Sequence, residues 1–234
     1  ETGPHLPVST DADLADGIVA RAIEELPQDL PVLFLPTQVV GSSDEHGGLA
    51  GTLSVRGDTL REHLFDVASG LARHGFRRWV VFNTHGGNKH VVDEAALRAR
   101  EALGLLVVKA HSFRFPVPPG VELPASEWRH GLHGGAVETA MMLHLRPDLV
   151  RTDLIQRFPS LGEELESELC VILPEGPAAF AWLSQDLNPQ GVTGDPTLAT
   201  AEVGERLIDG YAGFLVSVLR DTARFPIDRL HPGP

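Results

Sequence analysis

Cysteine is nearly absent from this sequence, with Cys170 the only one in 234 residues. An intrachain disulfide is therefore excluded, and so is a four-thiolate zinc site. Long hydrophobic runs are missing as well. No apolar stretch approaches the roughly 20 residues that span a bilayer. The first apolar-rich stretch is already interrupted by Asp and Glu, unlike a signal peptide. Positive charge is scarce, since 32 Asp and Glu against 19 Lys and Arg leave a formal charge of -13. Phosphate backbones select a basic face, so neither nucleic acid nor membrane is the expected partner, and the expected location is cytoplasmic. Also missing is GxSxG, the elbow of serine hydrolases on α/β folds. Nothing around Cys170 resembles an activated thiol loop.

What is present is ordinary globular composition, 42% apolar and 22% charged, with eleven histidines that form no tag-like tract. Residues 11 to 27 place Leu14, Ile18, Val19, Ala22 and Ile23 at helical spacing, with Thr10 or Asp11 as the cap and Pro27 as the stop. PVLFLPTQVV, residues 31 to 40, reads as a strand covered on both faces. Residues 41 to 58 form a glycine-rich loop containing a short TLSV strand. A helix over 59 to 74, the strand RRWVVFN at 77 to 83, a helix over 89 to 102 and the strand LGLLVVKAHSF follow. Residues 115 to 131 are rich in proline and irregular, and 151 to 194 are irregular too. Helices are expected again at 135 to 145 and 199 to 220. Alternating strands and helices predict an α/β fold, a three-layer sandwich whose mostly parallel central sheet is flanked by helices. Residues 1 to 234 read as one domain, without repeat or linker.

Three polar clusters could carry chemistry. NTHGGNKH, residues 83 to 90, follows a central strand, where open α/β sheets bind ligands. His85 there has the chemistry of a metal ligand, Gly86 and Gly87 allow tight turning and close approach, and Asn83 and Asn88 can hold loop or substrate. A solvated strand-to-helix turn explains the same residues. HGLHGGAVET, residues 130 to 139, sets Glu138 on an apolar helix, which is costly for a carboxylate unless it is paired, metal-bound or solvent-facing. The opening ETGPHLPVSTD combines Glu1, His5 and Asp11, a hard-oxygen and imidazole set suited to zinc, manganese or iron, or else is a plain terminal arm. Glu45 and His46 in SSDEHGG, and Asp195 in WLSQDLNPQGVTGDP, are candidates for the rim or for ordinary surface loops.

Taken together these segments resemble the creatininase (creatinine amidohydrolase) family. GPHLPVSTD is similar to that family's loop EQHGPHLPxxTD, NTHGGN to NGHGGN, and HGGAVETA to HAGxxETS. Glu45, His46 and the GTLS at 51 to 54 resemble the EH…GT(L/I)S segment, and GVTGDPTLAT at 191 to 200 resembles GVxGDPxxAT. The resemblance implies that Asp11 bridges two divalent ions, that His85 ligates one and Glu138 the other, and that His133 is the catalytic acid or base. The implied activity is hydrolysis of a C–N bond in a small amide, cyclic amide or formyl amide by metal-activated water. A homo-oligomer, hexameric in true creatininases, is implied as well.

The departures from the family pattern carry expectations of their own. Thr2 stands where the family has a ligating histidine, so one ion is expected in place of two if that change costs a site. The family's first glutamate ligand would fall one residue before Glu1, so the chain is expected to begin inside the metal loop, without the strand that ordinarily precedes it, and Glu1 becomes a stand-in ligand. Gly87 replaces a glutamate of true creatininases. Trp128 is one position off the tryptophans that cover creatinine, with Arg129 between, which makes creatinine a doubtful substrate. A disabled binding or structural relative is the competing reading.

Overall fold

The computed structural model describes residues 3–231. Helix α1 (Thr10–Glu25) buries Leu14, Ile18 and Ala22, one residue per turn on a single stripe. Its N-cap is Ser9 rather than Thr10 or Asp11, and Asp11 lies in the first turn with its side chain free for another partner. Helix α2 (Gly57–Arg73) buries Leu60 and Ala68. Strand β1 (Arg78–Asn83) leads through a short 3-10 turn into α3 (Lys89–Leu103), and β2 (Leu106–His111) returns parallel to β1 with Trp79 opposite Val107. Helices α4 (Ala125–His130), α5 (Ala136–Leu145), α6 (Leu161–Glu168), α7 (Ser184–Leu187) and α8 (Ala201–Arg224) follow, with the two-residue strands β3 (Ile172–Leu173) and β4 (Ala178–Ala179) between α6 and α7.

Three layers result, as the alternation of elements predicts. Val80 and Phe82 of β1 face the main core, built from α1, α5 and α8 around Ile18, Met142, Leu207 and Leu215. The opposite face presents Trp79 and Val107 to a smaller core of Ala68, Ala99 and Leu105, under α2 and α3. At Gly204 of α8 an added Cβ would lie 1.9 Å from the Ala140 carbonyl oxygen. Only glycine permits that approach of α8 to α5.

Two expected strands are not formed. Among the described residues, 31–40 joins no ladder: Val32 and Phe34 pack on the main core while Leu33 is 61% exposed. Pro31 and Pro36 deprive the run of two backbone donors, which weakens it as a ladder strand. TLSV also stays outside the sheet, with Leu53 71% exposed and the Ser54 hydroxyl accepting a bond from the Ser43 backbone N–H. Helices α4 and α6 form inside stretches that read as irregular. The signal for α6 is Ser160, whose hydroxyl accepts from Gly162 N–H while Glu163 accepts from Ser160 N–H, a reciprocal cap spread over four residues. No described helix is long and apolar enough to cross a membrane.

Candidate metal centre

The carboxyl end of β1 delivers His85 to a point between two carboxylates. Its Nδ1 lies 3.1 Å from Asp11 Oδ2 and its Nε2 3.2 Å from Glu45 Oε1. Burial works against a charge on this imidazole, but the two carboxylates outweigh it and hold the pKa up to about 10. Asp11 reaches the cluster from the first turn of α1, which the Thr84 hydroxyl ties down by donating to the Asp11 carbonyl. Both Asp11 and Glu45 stay below the usual carboxylate range, because His85 more than offsets their desolvation.

Glu138 enters from the first turn of α5. Its Oε2 accepts the Gly134 N–H at 2.8 Å, and among the described residues no arginine pairs with it. Burial, and next the charge of Asp11, push its carboxyl up to about 8. His46 is buried, its Nδ1 bonded to the Ser184 hydroxyl and its Nε2 3.5 Å from Glu45 Oε1. Its ring centroid is 4.1 Å from that of His133 and 5.8 Å from that of His85. Burial, with His133 adding to it, lowers the His46 pKa to about 3. His133 itself sits in an antiparallel bridge to Thr193.

The remaining candidates sort into supports and neighbours. Asn83 donates to the His85 carbonyl at 2.8 Å and contacts His111 Nδ1 at 3.1 Å. Asn88 donates to Asn83 Oδ1 and accepts from Ser42 N–H, which joins the β1 turn to the loop carrying Glu45 and His46. His5 is wholly buried. Its Nε2 contacts the Thr139 hydroxyl at 2.9 Å, its Nδ1 has no partner among the described residues, and burial lowers its pKa to about 4. Its ring stacks on Phe158 with centroids 5.7 Å apart. Asp195 accepts from Thr197 N–H and starts a 3-10 turn, while Trp128 packs on the main core. Glu1 and Thr2 lie outside the described residues.

Sequence reasoning missed Glu127. It is 4% exposed, yet its Oε1 accepts Ala136 N–H at 2.6 Å and its Oε2 accepts Asp195 N–H at 2.7 Å. Burial raises its pKa against those two bonds. Cβ atoms on Gly131, Gly135 and Gly194 would come within 2.4, 2.3 and 2.7 Å of Glu127 Oε1. The carboxylate therefore ties the start of α5, just past His133, to the loop at Asp195. Its only local signal is a glutamate just upstream of a glycine-rich stretch.

The donor set suits a divalent cation. Ligand atoms of Glu45, His46 and His85 lie within 4.8 Å of one another, and Asp11 and Glu138 add carboxylates beside them. In the absence of a cation, one carboxyl carries a proton and one imidazole is charged at neutral pH, protons that a metal would displace. Imidazole with carboxylate oxygen fits zinc and manganese.

Comparison with known proteins agrees with this chemistry. The family model for creatininase, creatinine amidohydrolase, matches residues 1–219. A mycofactocin precursor peptide peptidase of Mycolicibacterium smegmatis is 32% identical over 212 residues, covering 88% of this chain and 74% of the relative. A creatinine amidohydrolase of Pseudomonas putida is 31% identical over 172 residues, 67% of this chain and 65% of the relative. A creatininase variant complexed with creatine superposes with a TM-score of 0.76 at 25% identity, covering 97% of this chain and 88% of that one. A manganese creatininase gives 0.74 at 26% identity over 97% and 87%, and a zinc–zinc form gives 0.72 at 26% identity over 97% and 87%.

Proposed function

The chain belongs to the creatininase family and is a metal-dependent hydrolase of C–N bonds in small amides, and we propose that it holds two divalent ions around Asp11, His85 and Glu138, with residues 1–234 acting as one domain. The observation that supports this most is His85 held between two carboxylates at the end of β1, with Glu138 close enough for the charge of Asp11 to raise its pKa. When bound, such an ion lowers the pKa of its water from 15.7 toward about 7 and polarises the scissile carbonyl. His133 is the proton donor to the departing nitrogen, held in place by its bridge to Thr193 and its contact with His46. Asn83 and Asn88 keep the turn 83–88 in shape. The same reading includes a cytoplasmic location and a homo-oligomer, supported by the exposed apolar side chains Leu33, Leu35 and Val39.

The substrate in this reading is an open-chain amide in preference to the creatinine ring. Trp128 is packed on the main core, and Arg129 pairs with Glu166, so neither is placed to roof a flat ring. Elemental analysis of the chain should give two ions, with loss of metal in Asp11→Ala and His85→Ala. The loaded protein should then hydrolyse formyl amides or short peptides faster than creatinine. No metal after reconstitution with zinc or manganese would defeat the metal-centre reading, and faster turnover of creatinine would defeat the substrate assignment.

A further inference from the structure

Glu45 reaches His85 through a gap that only glycine at position 87 leaves open. A Cβ on Gly87 would lie 2.2 and 2.7 Å from the two carboxylate oxygens of Glu45 and 2.6 Å from His85 Nε2. The backbone does not explain this glycine, since Gly87 is not among the positive-φ residues and any L-residue could adopt its conformation. Gly86 makes the contrast, because a Cβ there would meet nothing within 4 Å. The turn therefore tolerates a side chain at 86, and the place of one at 87 is taken by a carboxylate from another segment.

That carboxylate is firmly aimed. Ser42 N–H donates to Asn88 Oδ1 at 2.9 Å, Ser43 N–H to Ser54 Oγ at 2.9 Å, and Val55 N–H to the Gly41 carbonyl at 2.9 Å, closing the loop on both sides of Glu45. The bond between Ser184 and His46 Nδ1 leaves His46 Nε2 facing Glu45. Ser43 Oγ contacts His85 Nε2 at 3.1 Å on the same side. Resting on the metal-centre reading above, we propose that Glu45 is itself a metal ligand of this chain, supplied by the loop 41–56 into the space that a side chain at 87 would fill, with Gly87 retained to keep that space free. The ion on His85 then draws its carboxylate from a segment distant in sequence.

The test uses this chain stripped of metal and titrated with zinc, and separately with manganese, in competition with a chelating indicator. Glu45→Gln preserves size and removes charge, and it should weaken zinc binding by about tenfold or more, the loss that even an outer-shell partner causes. Gly87→Ala should weaken binding in the same direction, because its methyl displaces the carboxylate. Glu45→Ala combined with Gly87→Glu returns a carboxylate from the other segment and should bind zinc more tightly than Glu45→Ala alone. Unchanged zinc affinity in Glu45→Gln overturns the proposal. His85→Ala separates the two levels: loss of zinc there with none in Glu45→Gln sinks only the role of Glu45, whereas full zinc affinity in His85→Ala sinks the metal centre itself.

Discussion

His85 and Glu138 share one electrostatic predicament, each keeping a proton in the metal-free protein that it would lose in water at slightly alkaline pH. Both folded pKa values are raised, to about 10 for His85 and about 8 for Glu138. A group with a raised folded pKa contributes its stability below its unfolded pKa and loses it as pH climbs through the folded value. Metal-free protein should therefore lose the Glu138 contribution from about pH 4.5 to about pH 8 and the His85 contribution from about pH 6.5 to about pH 10, and Glu138→Gln should flatten the slope below about pH 8. Zinc removes the cause by taking the place of the protons, so its affinity should rise over the same window. A calorimetric series of metal-free and zinc-loaded protein checks both, and a flat metal-free profile would contradict the assignment.

At the scale of elements, the site is a junction of helix starts. α1 presents Asp11 from its first turn, and α5 presents Glu138 from its own. Glu127 binds the start of α5 to the loop at Asp195, so the chain just past His133 is anchored to a second segment. Glu127→Gln replaces one acceptor with an amide NH2 facing a backbone N–H. It should cost roughly 1–3 kcal/mol of stability, the penalty of a buried unsatisfied group. Turnover should fall through kcat while zinc content stays whole, because His133 moves and His85 does not. Steady-state kinetics beside elemental analysis decide the point: metal lost in parallel with activity would make Glu127 a support of the metal centre instead. Thr200 offers a control far from the chemistry. Its hydroxyl accepts Val203 N–H at the start of α8, and Thr200→Ala should cost about 1 kcal/mol without changing zinc affinity.

Across the whole molecule, stability and site have separate sources. The main core between α1, α5 and α8 is built from apolar side chains, and Leu215→Ala should destabilise by about 2–5 kcal/mol in urea with zinc affinity retained. The candidate metal centre ties the 41–56 loop and the β1 turn to the first turn of α1, which the core already packs with α5. Saturation with zinc at a hundred times its dissociation constant should add about 2.7 kcal/mol, and a chelator should remove it. The helices α1, α2, α3, α5 and α8, and the strands β1 and β2, were legible in the sequence, because helical and strand periodicity is a local property of the chain. The motifs that carry Asp11, His85, Glu138 and His133 as candidates were legible too, through their order along the chain. The runs 31–40 and TLSV were not, since whether an apolar run joins a ladder depends on a neighbouring strand and on where its prolines fall. Glu127 was hidden because a buried carboxylate has no periodic signature, only a set of backbone donors gathered by folding. Sequence alone thus determined which residue types could hold a cation and which helices would carry them. Tertiary structure decided that Glu45 lies against His85 and that Gly87 leaves it room, because contacts between distant segments are set by the closure of loops and not by local pattern.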